Sequence, residues 1–313
     1  MLLDFIKGHM GNNMIIFLWG QQIPRGKELD VALEILKPQA ISGHDVGIIY
    51  PPTLGGDLKV KIVGLTSRAF ITACGGLTQV LGKVLVETDF AGFLHIPIHE
   101  PQTQIVLETD GGNMHITVEV ERGKAVRVWT DMRSFVDECY DMGVASLYLN
   151  GVEAWKIGKF LVIDGDKVEK AYPDVALENM DDKTQQVLLQ LQDEFKRMTS
   201  PKNSDFSVYD WNPKNAGDLR IVFPHNLRTG HVEPACGTGF VATGIGVWEM
   251  GELESRGMIE DRGVCFRYEC GGAPVLGGSE YTQIHMMSDG EKVTDVEFFH
   301  SIIEILEQGR ITL

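Results

Sequence analysis

The sequence predicts an α+β protein made of two similar units, each built around one cysteine-containing motif. Its 313 residues suffice for about two domains, and 43% of them are hydrophobic. The tripeptide Ala-Cys-Gly occurs twice, with its cysteines at Cys74 and Cys236, about half the chain apart. In each half, strand-like patterning precedes the motif, helical patterning follows it, and further strands come after. We therefore expect one copy of the same arrangement in each half.

Because of the charge balance, we do not expect nucleic acid or an anionic membrane surface as a partner. Lys and Arg number 28 against 44 Asp and Glu, a formal net charge of −16, which disfavours binding to phosphate. No run reaches the roughly 18 apolar residues of a membrane-spanning helix, and the N-terminus lacks the basic region of a signal peptide. The five cysteines are sparse and not in Cys-x-x-Cys pairs, so neither a disulfide framework nor a zinc ribbon is expected. A cytoplasmic location is the expectation.

Before the first cysteine, the patterning predicts strands and one surface helix. Residues 4–18 have the pattern of two short strands around a polar turn, where Asn12 either binds a ligand or simply forms the turn. Residues 27–37 carry apolar side chains at helical spacing and stop before a proline, which predicts a helix. Two further strands are expected at 43–50 and 58–63.

The first cysteine lies where a predicted strand passes into a predicted helix. Residues 68–73 have the pattern of a strand, and apolar residues at helical spacing follow Cys74. The thiol is therefore expected at a helix N-terminus. A hairpin over 105–120 comes next, with an Asp-Gly-Gly-Asn turn. We expect the first domain to span residues 1–133.

The second half, residues 134–300, repeats this order. A strand is predicted over 155–165. An amphipathic helix is predicted over 184–198, after two aspartates that suit a helix start. The remaining strands are expected at 206–211, 219–223, 264–270, 282–287 and 293–299.

The helix expected after Cys236 contains several small residues, at Gly239, Ala242, Gly244 and Gly246. Each glycine weakens an exposed helix by about 1 kcal/mol relative to alanine. We therefore expect this helix to run through the crowded middle of a sheet or barrel, where close backbone approach needs small residues.

Two thiols at helix N-termini suit acid and base catalysis at carbon. Backbone N–H groups at a helix start favour thiolate and bind anions. One thiolate can remove a proton from a substrate carbon while the other thiol donates one to the opposite face, which inverts the centre. The N–H groups after the cysteines can hold a carboxylate and stabilise enolate-like charge, so neither a metal nor an organic cofactor is required. These groups belong to Gly75, Gly76, Gly237 and Thr238.

A cysteine that merely packs as a small hydrophobe is the alternative to a catalytic one. We assign packing roles to Cys139, Cys265 and Cys270, because no glycine-rich helix start follows them. The two matched copies at strand-to-helix junctions favour catalysis for Cys74 and Cys236.

The motifs resemble those of the diaminopimelate epimerase and proline racemase superfamily, whose members are pyridoxal-independent and use two cysteines. Residues 5–14 are similar to the family's opening Phe-x-Lys-Met-x-Gly-x-Gly-Asn-Asp-Phe with one residue deleted, which places Asn12 at the substrate-contacting asparagine. Cys74-Gly75 matches the start of the first Cys-Gly-Asn-Gly motif. Cys236-Gly-Thr-Gly matches the second.

Further similarities extend over nearly the whole chain. Residues 107–112 are similar to the family's Val-Glu-Thr-x-x-Gly hairpin, and Asn203 stands at a second substrate asparagine. Arg228 precedes the second cysteine by the same eight residues as the family's substrate arginine. Residues 307–311 are similar to the terminal Tyr-Glu-Gly-Arg-Ile, which implies that a strand at 301–313 returns to the first domain.

The resemblance implies two pseudo-symmetric units, each a mostly antiparallel, barrel-like sheet around a central helix, with the active site in the cleft between them. It also implies a small amino-acid or carboxylate substrate, no cofactor and, by analogy, a homodimer. Gly76-Leu77 replace the family's Asn-Gly, and Leu227 replaces the glutamate that meets the α-amino group, so diaminopimelate is not the expected substrate. Glu233 or His231 either contacts an amino group instead or is a solvated loop residue.

We therefore predict a cofactor-independent racemase or epimerase of an amino acid or related carboxylate, with Cys74 and Cys236 as the acid/base pair. Two alternatives stay open. A proton-shifting isomerase of an unsaturated acid would change ultraviolet absorbance, whereas racemisation changes only optical rotation. A catalytically silent small-molecule binding relative would carry an unreactive thiol.

Overall fold

The computed structural model describes residues 1–200, 205–229 and 231–313. These residues form eighteen strands, eight α-helices and two short 3-10 helices at Gly20–Gln22 and Leu227–Thr229. The strands are β1 (Leu2–Met10), β2 (Asn13–Trp19), β3 (Asp45–Tyr50), β4 (Leu58–Gly64), β5 (Ala69–Ile71), β6 (Gln102–Thr109), β7 (Gly112–Glu121), β8 (Lys124–Asp131), β9 (Val144–Leu149), β10 (Val152–Ile157), β11 (Phe160–Asp164), β12 (Asp205–Asp210), β13 (Leu219–Asn226), β14 (His231–Glu233), β15 (Gly263–Cys270), β16 (Glu280–Ser288), β17 (Val293–His300) and β18 (Ile303–Thr312). The helices are α1 (Glu28–Ile35), α2 (Gly75–Glu87), α3 (Phe90–Leu94), α4 (Arg133–Asp141), α5 (Gly165–Ala171), α6 (Asp182–Met198), α7 (Gly237–Glu249) and α8 (Glu252–Ser255). Among the described residues, no helix is long and apolar enough to cross a membrane.

Contacts divide the chain into two compact units. Unit 1 comprises Met1–Ser134 and Phe299–Leu313, and unit 2 comprises Phe135–Phe298. In unit 1, β18, β1 and β2 pair antiparallel in that order, and β2 pairs parallel with β3. β4 pairs antiparallel with β3 and β5 but parallel with β6, after which β6, β7 and β8 run antiparallel.

Unit 2 repeats the same order of antiparallel and parallel pairings over β9 to β16. β10 pairs antiparallel with β9 and β11, and β11 pairs parallel with β12. β13 pairs antiparallel with β12 and β14 but parallel with β15, which in turn pairs antiparallel with β16. The mixed α/β architecture of two similar, mostly antiparallel units that the sequence predicted is therefore confirmed.

Amphipathic helices cover one side of each sheet. In unit 1, Val31, Ala32 and Ile35 of α1 join a core formed with side chains of β1 to β4. In unit 2, Leu188 and Leu191 of α6 lie in a core with side chains of β10 to β12. The Asp181 carboxylate accepts a hydrogen bond from the backbone N–H of Thr184 and caps α6. α1 lies within the segment that its apolar spacing predicted, whereas α6 begins at Asp182, two residues before the predicted segment, and ends with it at Met198.

The helices that follow the two cysteines are buried. α2 contacts β1, β2, β7, β8 and β18, and α7 contacts β10, β11, β12 and β16. A Cβ at Gly82 would lie 2.5 Å from Cγ1 of Val128, and one at Gly244 would lie 2.7 Å from Sδ of Met286. The small residues of α7 therefore allow the close packing that the sequence predicted.

A carboxylate that organises a loop is also duplicated, and the sequence reasoning missed it. Glu108 on β6 accepts hydrogen bonds from the N–H groups of Thr53, Leu54 and Gly56 at 2.7, 2.5 and 2.9 Å. Glu269 on β15 accepts from the backbone of the corresponding loop of unit 2, at Lys214, Asn215 and Gly217. The signal for this pair was a second repeated tripeptide, Gly-Asp-Leu, whose leucine is the first residue of β4 in one copy and of β13 in the other.

One strand prediction was wrong. Residues 155–165, expected as a single strand, contain the end of β10 and all of β11, which pair with each other through Ile157 and Phe160. Gly158 has φ 57°, a conformation that glycine adopts without strain and that reverses the chain here. The apolar residues on both sides of the turn hid the break.

Candidate active site

Cys74 lies between β5 and α2, where its extended backbone makes it the N-cap of the helix. Its Sγ accepts a hydrogen bond from the N–H of Leu77 at 3.4 Å and donates to Oδ2 of Asp45 at 3.3 Å. The N–H group and the helix dipole stabilise negative charge on the sulfur. Asp45, the first residue of β3, accepts the hydrogen of the thiol.

Asn13 lies close to the start of α2. A Cβ at Gly76 would lie 3.6 Å from Nδ2 of Asn13, whose side chain is buried and lies 3.1 Å from Nδ1 of His44. Asn12 is exposed, has φ 67°, and donates its backbone N–H to Nδ1 of His9 at 3.0 Å. The substrate-binding role expected for Asn12 stays a prediction, and Asn13 is a further candidate on the same turn.

Cys236 occupies the corresponding position in unit 2, as the residue before α7. It is 8% exposed, and its Sγ lies 3.4 Å from Oγ1 of Thr238. Burial and the charge of Glu233 raise the pKa of the Cys236 thiol, although hydrogen bonds from His225 and Thr238 oppose them. The side chain is therefore a protonated thiol at neutral pH.

His225 connects this thiol to a carboxylate. Its Nδ1 accepts the backbone N–H of Phe206 at 2.8 Å, and its Nε2 lies 3.0 Å from Oε2 of Glu233. Because Nδ1 accepts a hydrogen bond, the neutral ring carries its proton on Nε2. The Phe206 N–H therefore fixes the tautomer with its proton on Nε2, and the Glu233 carboxylate and the sulfur of Cys236 share that single proton.

Cys236, His225 and Glu233 offer ligand atoms that lie within 4.8 Å of one another. Sulfur, nitrogen and oxygen donors at this spacing are the set that zinc uses in proteins. A histidine that binds metal through Nε2 must carry its proton on Nδ1, where the Phe206 N–H already points. The cluster therefore suits proton transfer better than metal binding.

The other site residues predicted in unit 2 differ in their exposure and in their partners. Arg228 pairs with Asp193 on α6, and 61% of its side chain is exposed. Leu227 is buried in the core, so this position provides no polar contact for an amino group. Asn203 and the side chain of His231 lie outside the described part of the chain.

The two cysteines share a local design but have different polar partners. Each precedes a buried helix, so the N–H groups of Gly75, Gly76, Gly237 and Thr238 lie in the first turns. In unit 1 the carboxylate of Asp45 contacts the thiol directly, whereas in unit 2 a histidine intervenes. Sequence reasoning missed Asp45 and His225. For Asp45 the one weak signal was a polar residue at the start of an otherwise apolar strand, whereas the strand of His225 also carries Arg220 and offered no such signal.

Comparison with known proteins identifies the fold. No protein-family model matches the sequence, and no curated protein matches it. A hydroxyproline epimerase from Agrobacterium vitis, solved with bound trans-4-hydroxy-L-proline, matches with a TM-score of 0.64 and 14% identity over 99% of this chain and 92% of that one. A methylitaconate-delta-isomerase matches with a TM-score of 0.63 and 14% identity over 99% and 95%. A PhzF-family phenazine biosynthesis protein from Bacillus anthracis matches with a TM-score of 0.62 and 8% identity over 100% of both chains.

The chain therefore has the two-unit fold of these proteins. At the level of the fold, the resemblance seen in the motifs is confirmed.

Proposed function

We propose that the protein is a cofactor-independent racemase or epimerase of an amino acid or related carboxylate, with Cys74 and Cys236 as its two proton-transfer groups. The observation that carries this proposal is the equivalent placement of both thiols in a duplicated topology, each at the start of a buried helix. The fold shared with a hydroxyproline epimerase agrees with it. A small carboxylate would accept hydrogen bonds from the N–H groups of the helix starts.

In the proposed reaction, a thiolate at Cys74 takes the α-proton and the thiol of Cys236 gives a proton to the opposite face. Asp45 receives the thiol proton of Cys74 before this step. The N–H of Leu77, the helix dipole and a substrate ammonium group would favour the thiolate in that transfer. The Nε2 proton of His225 stabilises the sulfur of Cys236 after it donates. In the reverse direction the two cysteines exchange roles.

The test combines a substrate panel with three serine variants. The panel contains single enantiomers of amino acids, including proline and 4-hydroxyproline, and nuclear magnetic resonance in D₂O detects deuterium at the α-carbon. Cys74→Ser and Cys236→Ser should each lose activity by about 10² to 10⁴-fold, the usual contribution of an acid or base. Cys265→Ser is the matched control and should remain active, because Cys265 is exposed on β15; the packing role expected for this cysteine was wrong. Full activity in both catalytic variants would overturn the proposal.

A second candidate is a proton shift in an unsaturated acid. The match to a methylitaconate-delta-isomerase favours it, because the same fold supports that reaction in the other protein. The same two thiols would remove a proton from one carbon and deliver one to another. A change in ultraviolet absorbance with unsaturated dicarboxylates, without any inversion of amino acids, would select this reaction instead.

A further inference from the structure

Unit 1 contains a cavity that is remote from Cys74. Its volume is about 720 Å³, and one wall is α3, which follows the C-terminal end of α2. Cys74 caps the other end of α2, and a helix of this length spans roughly 20 Å. The cavity is therefore separate from the proposed catalytic thiol and is not used by the proposed reaction.

The floor of the cavity is one face of three neighbouring strands. Strand register places Arg310 of β18 opposite Asp4 of β1, and Ile6 of β1 opposite Phe17 of β2. The same face of β1 is covered by α2 at Gly8, where a Cβ would lie 2.6 Å from Cγ1 of Val80. Beyond the end of α2, residues of α3 and of this face of the sheet line the cavity together.

Aromatic side chains form the apolar side of the cavity. The ring centroids of Trp19 and Phe90 lie 4.7 Å apart with the planes tilted by 32°. Phe93 meets Trp19 edge-on at 6.5 Å and is 70% exposed. An exposed phenylalanine beside a tryptophan leaves apolar area in water that a flat ring would cover.

Polar groups are concentrated at the opposite side. The Asp4 carboxylate accepts hydrogen bonds from Nε of Arg310 at 2.6 Å and from Nε2 of Gln22 at 2.5 Å. In the described chain, no residue accepts a hydrogen bond from the two terminal amino groups of Arg310. These donors have the fork geometry that binds a carboxylate or sulfonate.

We propose that this cavity binds a planar aromatic molecule that carries an anionic oxygen group, with its ring against Trp19 and Phe93 and its anion on Arg310. The volume lies within the range of about 300 to 1,000 Å³ that is typical of small-molecule sites. A mainly apolar and aromatic lining with a few polar groups gathered at one side is also the usual composition of such sites.

The test uses 8-anilinonaphthalene-1-sulfonate as the probe, since it has both aromatic rings and a sulfonate. The intact protein should bind one probe molecule per chain in a saturable fluorescence titration, and the probe should raise the melting temperature. Phe93→Ser should weaken binding by about tenfold through loss of the ring contact. Phe70→Ser, which removes an exposed aromatic outside the cavity, is the matched control and should bind as the unchanged protein does.

A second variant tests the polar end. Arg310→Met keeps the apolar stem of the side chain. It should weaken binding of the sulfonate probe by about tenfold and leave binding of the neutral analogue N-phenyl-1-naphthylamine unchanged. Non-saturable binding, or equal losses in Phe93→Ser and Phe70→Ser, would overturn the proposal. So would a dimer that dissociates only in Phe93→Ser, because a second copy of the chain would then occupy the cavity.

Discussion

At the residue scale, the two cysteines have different surroundings despite their equivalent positions. Cys74 is partly exposed and receives a hydrogen bond from the N–H of Leu77. Cys236 is buried, and the nearby charge of Glu233 raises its pKa further. A thiol reacts with alkylating agents only as the thiolate. The two cysteines should therefore differ in reactivity in the free protein.

We predict that iodoacetamide at pH 7.5 modifies Cys74 faster than Cys236. The rate at Cys236 should rise only at a pH above the usual thiol range, because burial keeps the proton on sulfur. Peptide mass spectrometry over a pH series from 6 to about 10 measures both rates. Faster modification of Cys236 than of Cys74 at pH 7.5 would contradict this account.

The variant Glu233→Gln tests whether the charge of Glu233 helps to raise the pKa of Cys236. It removes the negative charge but keeps an oxygen that can accept the Nε2 proton of His225 at the 3.0 Å contact. The pH profile for Cys236 modification should move to lower pH, because a neighbouring negative charge disfavours thiolate. Glu121→Gln, at an exposed position on β7, is the control and should leave the profile unchanged. Movement to higher pH would show that the carboxylate acts mainly through His225.

At the element scale, α2 depends on close approach to the strands beneath it. A Cβ at Gly82 would lie 2.5 Å from Cγ1 and 3.2 Å from Cγ2 of Val128. A β-branched side chain has little freedom to move away. By contrast, a Cβ at Gly92 of α3 would meet no atom within 4 Å.

We predict that Gly82→Ala lowers the free energy of unfolding by about 1 to 3 kcal/mol, the usual cost of overpacking. Gly92→Ala is the matched control and should be neutral or stabilising by up to about 1 kcal/mol, because alanine favours helix. Urea unfolding followed by circular dichroism measures both. Equal stability of the two variants would show that α2 does not pack as closely as the fold requires.

The loop carboxylates give a second prediction at this scale. Burial raises the pKa of Glu108, but hydrogen bonds from the N–H groups of Gly56, Thr53 and Leu54 outweigh it and lower the pKa to about 2. A lowered pKa contributes stability above the unfolded value of 4.5, and that stability is lost as pH falls towards 2. Glu108→Gln should therefore destabilise the protein at pH 7 and flatten the pH dependence of unfolding between these values. Urea unfolding at a series of pH values measures this dependence. The control Glu121→Gln, which removes an exposed carboxylate, should keep the same pH dependence of the free energy of unfolding as the unchanged protein.

At the scale of the whole molecule, the duplicated topology explains what the sequence could predict. The helix starts at Cys74 and Cys236 were predictable, because a glycine after each cysteine and the apolar spacing of the helix are local features. Asp45 and His225 were not, because strand pairing brings them to residues distant in sequence. The turn at Gly158 was missed because apolar residues flank it on both sides. The domain boundaries and the roles of the site residues stay predictions.

The most direct test of the two-thiol mechanism follows deuterium early in the reaction in D₂O. If one group removes the proton and another supplies its replacement, the first product molecules should carry deuterium at the inverted carbon while the remaining substrate keeps its original hydrogen. Nuclear magnetic resonance with a single enantiomer of the active substrate measures both pools. Product that retains the substrate hydrogen, or deuterium that enters both pools at the same rate, would contradict the proposal that two separate thiols transfer the proton.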